Sequence, residues 1–220
     1  MTELLPAAIA CVAAYLTGSI PFGLLIARVR GVDIRTVGSG NIGATNVFRC
    51  VGKKWGVLVF ALDFLKGFIA AGVLPVLLAS CATAPAEIRL VLAAAAVAGH
   101  NWPVWLRFKG GKGIATSAGA LLGVAPVAVG LAAVVWFAAF FILRYVSVAS
   151  LLAALTVGIA PWTPLLPDAS PWLRVVLGLL ALAAIIRHRA NIQRLCKGTE
   201  NRFSFRGTVK SCIKSDENGM

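Results

Sequence analysis

Acidic residues are scarce in this chain, with 8 Asp and Glu among 220 residues against 21 Lys and Arg. A divalent metal takes several oxygen ligands, and only Asp33, Asp63 and Glu200 lie near the polar motifs described below. Neither a metal site nor a cofactor is therefore expected. Charge of either sign is sparse, at 13% of residues, where soluble domains carry roughly a quarter. No C-x-x-C pair occurs. Cys11, Cys50, Cys81, Cys196 and Cys212 are odd in number and widely spaced. They argue against a disulfide framework or zinc site and read as small apolar packing residues with a few loop thiols. The opening MTELLPAAIACVAAYL has no Lys or Arg ahead of its apolar run, so it lacks a signal peptide's basic leader and reads as a retained first transmembrane helix.

What the chain has instead is apolar surface, 59% of residues. A net charge of +13 would suggest nucleic acid in a soluble protein. In a greasy one it points to a membrane surface and to anionic substrates. About 20 apolar residues cross a bilayer. Runs of that kind, with their breakers, fall at 4–27, 55–79, 88–106, 114–125, 127–143, 146–162 and 171–187. The expected fold is all-α, a polytopic membrane protein of about seven transmembrane helices. Eighteen of the 21 basic residues fall in the loops after spans 1, 3 and 5 and in the C-terminal region. The positive-inside rule then puts the N-terminus outside and the C-terminus in the cytoplasm. One transmembrane domain is expected over residues 1–200, followed by a polar, loosely held tail over 201–220.

Three cytoplasmic segments concentrate the polar residues. In TVGSGNIGATNVFR, Gly38, Gly40 and Gly43 let the backbone turn sharply, Ser39, Asn41, Thr45 and Asn46 add neutral donors, and Arg49 supplies a fork suited to phosphate. In HNWPVWLRFKGGKGIATSAG, the glycines around Lys112 precede span 4, so a helix N-terminus with free N–H groups would face the loop. This is no Walker A loop, because Leu106 and Gly113 stand where Gly and Ser or Thr are needed. In RHRANIQRLCKGTENRF, Arg187, Asn191 and Arg194 share one helical face, flanked by His188. Each segment also has a plain reading, as a surface loop or a basic juxtamembrane helix. Asp63 and Lys66, three apart inside span 2, are costly in a membrane unless they pair or line a polar cavity.

Together these blocks, with LDFLKG at 62–67, resemble the bacterial acyl-phosphate:glycerol-3-phosphate acyltransferases, from the first span to about Phe203. Trp102 stands where Phe is common in that family. The resemblance implies a seven-helix enzyme of the bacterial inner membrane, with its active site on the cytoplasmic face. It would move a fatty acyl group from acyl phosphate to glycerol 3-phosphate, giving lysophosphatidic acid and phosphate, the first step of phospholipid synthesis. Catalytic candidates are Ser39, Lys66 and His100. Candidates for holding phosphate are Asn41, Asn46, Arg49, Gly110, Gly111, Lys112, Gly113, Thr116, His188, Asn191 and Glu200. Ser39 and Asn46 would orient the substrates, and Lys66 or loop N–H groups would stabilise the oxyanion. The base would be His100 or a substrate phosphate oxygen, with the latter favoured. Partners are the two substrates and membrane lipid, without nucleic acid or an obligate protein partner.

Two other classes fit the sequence less well. An organic-phosphate transporter would place its site near the midplane and repeat its halves, whereas GNIGAT and GKGIAT are too brief a likeness to form a repeat. A CDP-alcohol phosphotransferase needs an Asp-rich D-x-x-D-G motif, which this sequence lacks.

Overall fold

The computed structural model describes residues 4–77 and 86–203. Among these the chain is helical, with no strand. The first apolar run forms α1 (Leu4–Ser19) and α2 (Phe22–Val29), interrupted at Ile20–Pro21 because proline supplies no N–H to continue the ladder. A loop leads to α3 (Ala44–Cys50) and then α4 (Lys53–Phe68), which runs on through a π-helical turn, Ile69–Val73, into Leu74–Leu77. Next come α5 (Ala86–Asn101), α6 (Ile114–Leu122), α7 (Pro126–Leu143), α8 (Val146–Ile159), α9 (Pro171–Arg187) and α10 (Arg189–Cys196). Pro126 and Pro171 occupy first-turn positions, where a missing N–H costs nothing. Ser170 caps α9 by accepting the Leu173 N–H at 3.2 Å.

Helix α5 stops at Asn101 and not near 106. Pro103 is extended (φ −69°, ψ 132°), and proline disfavours helical backbone in the residue before it. By length and composition three helices can cross a membrane, at Leu5–Val29, Lys53–Val73 and Pro126–Leu143. A fourth candidate is the pair Pro171–Arg187 and Arg189–Cys196, bent by 55°. Helices α5, α6 and α8 occupy other sequence-predicted spans but are shorter.

Small residues bring the helices close, as they do where lipid removes any hydrophobic drive between helices. Gly18 of α1 faces the Ala96 carbonyl of α5, while Gly99 of α5 faces the Tyr15 carbonyl of α1. The same reciprocity joins Gly67 of α4 with Thr116 of α6, and Gly119 of α6 with Phe64 of α4. Helices α7, α8 and α9 pack in sequence beside them. Outward faces are apolar. Val134 and Ile142 on α7 are 69% and 74% exposed, which suits hydrocarbon and not water.

Cys11 and Cys196 are free thiols, but Cys50 is disulfide-bonded. That corrects the reading of all five cysteines as packing residues or loop thiols, since spacing along the chain does not show which segments meet. At the start of the expected tail, the Asn201 carbonyl accepts from Arg49 and Phe203 packs against Phe48 and Phe140. The rest of the expected tail, 204–220, lies outside the described residues.

Candidate active site

The polar segments, distant in sequence, meet at one end of the bundle around a cavity of about 140 Å³. The first contributes Ser39, Asn41, Asn46 and Arg49 to its wall, the second His100, Lys112 and Gly113, and the third His188, Asn191, Arg194 and Glu200. Of the sequence candidates, Lys66, Gly110, Gly111 and Thr116 do not line it.

The first loop is built around Asn46, which is 2% exposed. Its Oδ1 accepts the Ser39 N–H at 3.0 Å, and its Nδ2 donates to the Ile34 and Val37 carbonyls, both at 3.1 Å. Asn41 Oδ1 accepts the Gly43 N–H at 2.8 Å. Asn46 is thus spent on folding its own loop, while Asn41 uses its Oδ1 there and still lines the cavity; the loop presents Ser39 on one side and Arg49 on α3 on the other. Arg49 Nη2 donates to the Asn201 carbonyl at 3.2 Å.

The Gly110–Gly113 turn rests on α5. The Gly110 and Gly111 N–H groups donate to the Asn101 and His100 carbonyls at 3.2 and 3.1 Å. Arg187 clamps the outer side, with Nε to the Gly111 carbonyl at 2.9 Å and Nη2 to the Gly110 carbonyl at 2.6 Å. Gly111 lies against the His100 imidazole so closely that a Cβ there would overlap Nε2. Gly113, at φ +79°, hands the chain to α6. The first turn of α6, with Gly113, Ile114 and Ala115, therefore opens into the cavity. Its N–H groups have no partner within the helix and carry the positive end of the dipole.

Beneath the cavity lies a buried ionic cluster. Lys66 Nζ bonds Asp63 Oδ1 and the Ile20 carbonyl, each at 2.8 Å. His100 Nδ1 stands 3.6 Å from Asp63 Oδ1 and 3.1 Å from Thr116 Oγ1. Lys66 and Asp63 are each 3% exposed. Lys66 thus ties α4 to the break between α1 and α2 and supports the floor without reaching the cavity. Thr116, fully buried, steadies His100 from α6.

Lys112 bonds Asn191 Oδ1 at 2.5 Å. Burial lowers its pKa to about 8, Glu200 opposes that in part, and Arg194, Arg49 and Arg187 lower it further. An ammonium with three guanidinium groups near it is suited to hold an anion. Glu200 bonds Asn191 Nδ2 and Arg194 Nε, each at 2.7 Å. Burial pushes its carboxyl up, but these bonds outweigh that and hold it below the ordinary range. His188 donates from Nδ1 to the Ala184 carbonyl at 2.7 Å. Burial and the nearby Lys112 charge hold its pKa near about 4, so it stays neutral with Nε2 unprotonated.

Sequence reasoning missed Phe60, Trp136, Ser147 and Ser150, all on the wall. Trp136 Nε1 donates to Ser150 Oγ at 3.2 Å. The only hint was Ser147 and Ser150, three apart in an otherwise apolar run. A second cavity of about 360 Å³ lies alongside, lined almost wholly by apolar residues of α6, α7, α8 and α9. Phe60, Ile114 and Trp136 belong to both walls.

A site combining several cations with an adjoining greasy chamber is what a phosphate-bearing amphiphile needs. The sequence model of the glycerol-3-phosphate acyltransferase family matches residues 8–198. The chain belongs to that family. It is 51% identical over 194 residues to the glycerol-3-phosphate acyltransferase of Desulforudis audaxviator, covering 87% of this chain and 93% of that one. Against the enzyme of Aquifex aeolicus identity is 45% over 190 residues, covering 86% and 95%. The crystal structure of PlsY, an integral membrane glycerol 3-phosphate acyltransferase, in its glycerol 3-phosphate form superposes with a TM-score of 0.80 at 42% identity, covering 90% of this chain and 96% of that one. Its lysophosphatidic acid form gives 0.78 at 40% identity, covering 93% and 98%. This family member is accordingly a multi-pass membrane protein with apolar helices.

Proposed function

We propose that the chain transfers a fatty acyl group from acyl phosphate to glycerol 3-phosphate, releasing lysophosphatidic acid and inorganic phosphate, as the first step of phospholipid synthesis. It does so at the cytoplasmic face of the bacterial inner membrane, in a seven-span topology with the N-terminus outside. The observation that carries this is the shared wall of Phe60, Ile114 and Trp136 between a cationic cavity and an apolar one. The acyl chain occupies the apolar chamber. Its carbonyl then lies at the junction, beside the N-terminus of α6, and its phosphate enters the polar side next to Lys112.

Arg49, Arg194 and Glu200 line only the polar cavity, so glycerol 3-phosphate takes the outer position with its phosphate on the guanidinium groups. Its C1 hydroxyl points to the junction, oriented by Ser39. The hydroxyl oxygen attacks the acyl carbon, the carbonyl pair moves to oxygen and returns, and the carbon–phosphate oxygen bond breaks. The N–H groups opening α6 stabilise the oxyanion in place of Lys66, whose ammonium is committed elsewhere. His100 has Nδ1 against Thr116 and Asp63 and Nε2 packed under Gly111. The hydroxyl proton therefore goes to a phosphate oxygen of the substrates. Acyl phosphate is already activated, so no covalent enzyme nucleophile is needed.

The test is purified protein in lipid vesicles with glycerol 3-phosphate and either palmitoyl phosphate or palmitoyl-CoA. Lysophosphatidic acid and phosphate in equal amounts from palmitoyl phosphate alone is the expected result. Turnover from palmitoyl-CoA alone refutes the donor assignment.

A further inference from the structure

The match to the family model ends at residue 198, yet the chain beyond it returns over the cationic cavity. Glu200 sits in its wall, bonding Asn191 and Arg194. One residue on, the Asn201 carbonyl accepts Arg49 Nη2 at 3.2 Å. Phe203 then fastens the segment in two ways. Its N–H donates to the Arg144 carbonyl at 2.6 Å, at the left-handed turn that ends α7. Its ring sits 5.0 Å from Phe140 of α7, edge to face, and 5.3 Å from Phe48 of α3. Phe48 immediately precedes Arg49. The aromatic cluster therefore joins three parts that the chain separates widely: α3 with its guanidinium, the α7–α8 corner, and the strap after α10.

We propose that Phe203 is a positioning residue for acyl transfer: by pinning residues 200–203 between Phe48 and Phe140, it sets the Asn201 carbonyl and Glu200 where they hold Arg49, Asn191 and Arg194 ready for the phosphate of glycerol 3-phosphate. Without the pin, the strap's carbonyl and carboxylate no longer sit at fixed points. The guanidinium groups then spread over several rotamers, and ordering them falls to the incoming substrate. The reacting carbonyl at the α6 N-terminus is untouched. The penalty belongs to binding of the acceptor, and the chemical step proceeds as before. The assignment of the acceptor to this outer position rests on the function proposed above.

The experiment compares full-length wild type, Phe203→Ala and Phe203→Leu in lipid vesicles, with initial rates against glycerol 3-phosphate and against palmitoyl phosphate. Binding of glycerol 3-phosphate is followed in parallel by calorimetry. Phe203→Ala is expected to raise KM and Kd for glycerol 3-phosphate about tenfold, the size of a charged hydrogen bond loosened, with kcat within about twofold and KM for palmitoyl phosphate unmoved. Phe203→Leu, which refills most of the volume, recovers most of the loss. A merely structural role would instead lower kcat with the amount of folded enzyme and leave both KM values alone, and that result overturns the proposal. Should Phe203→Ala fail to fold, Phe203→Leu decides: a smaller rise in KM for glycerol 3-phosphate alone supports positioning, and an unchanged KM overturns it. An inactive wild type would fail the functional reading, while unchanged binding in an active Phe203→Ala enzyme would fail this inference alone.

Discussion

Replacing Lys112 tests the chemistry of the site most sharply. Its ammonium is buried beside Arg49, Arg194 and Arg187, and its pKa falls to about 8 because desolvation and like charge both disfavour the proton. A phosphate placed there gains a charged hydrogen bond, which contributes about 1.5–3 kcal/mol net. Removing it in Lys112→Gln should lower kcat/KM by about 10- to 150-fold at pH 7, at roughly 1.4 kcal/mol per tenfold. The pH dependence is more telling than the loss. The charged form binds anions, and kcat/KM reports the free enzyme, so the wild-type rate should fall as pH rises through about 8. Lys112→Arg keeps its proton throughout that range, so its rate, although lowered by altered geometry, should show no such descent. The assay is lysophosphatidic acid formation in lipid vesicles from pH 6 to 10 at subsaturating acceptor. A Lys112→Gln enzyme within threefold of wild type, or an unshifted alkaline limb in Lys112→Arg, refutes the reasoning.

Asp63→Asn removes the charge that compensates the buried Lys66 ammonium, and breaking a buried pair this way costs about 3–5 kcal/mol; thermal unfolding in detergent should show it, with partial recovery in Asp63→Asn combined with Lys66→Met. Gly111→Ala drives a methyl into the buried His100 ring and shifts the turn beside Lys112, so kcat/KM should fall about 100-fold, alongside a lower unfolding temperature from about 1–3 kcal/mol of overpacking. Ala153→Phe fills the apolar chamber without touching the polar one, so it should raise KM for palmitoyl phosphate strongly and for a short-chain acyl phosphate hardly at all.

The site was legible where residue type and clustering carry meaning. Arg49, Lys112, His188 and Asn191 sit in runs rich in glycine and cations, a composition suited to an anion, and the fold brings those runs together around one cavity. Lys66 shows the limit. Its rarity inside an apolar run signals a cost, but which way the side chain points is set by the α1–α2 break far off in sequence, and that break takes the ammonium. Asn41 and Asn46 line the cavity, yet their amide oxygens also hold their own loop, because loop-building and phosphate-binding use the same groups and sequence alone does not separate the two uses. Trp136 was invisible for the opposite reason, and Ser147 and Ser150 gave only a faint hint, since all three belong to apolar helices that reach the site through α7–α8 packing. Each apolar run became helical among the described residues, but the break at Ile20–Pro21 and the short helix Ala44–Cys50 inside the glycine-rich loop were not read. The end of α5 moved to Asn101 because one proline outweighs several apolar residues.

The central claim is direct transfer between two substrates held in adjoining polar and apolar chambers, and a single-turnover rapid quench tests it most directly. Enzyme in excess would be mixed with palmitoyl phosphate labelled in both acyl and phosphoryl groups, with and without glycerol 3-phosphate. The account predicts phosphate and lysophosphatidic acid appearing together at one rate, and no phosphate release when the acceptor is withheld. A burst of phosphate without lipid product, or acyl label retained on the denatured protein, would contradict it.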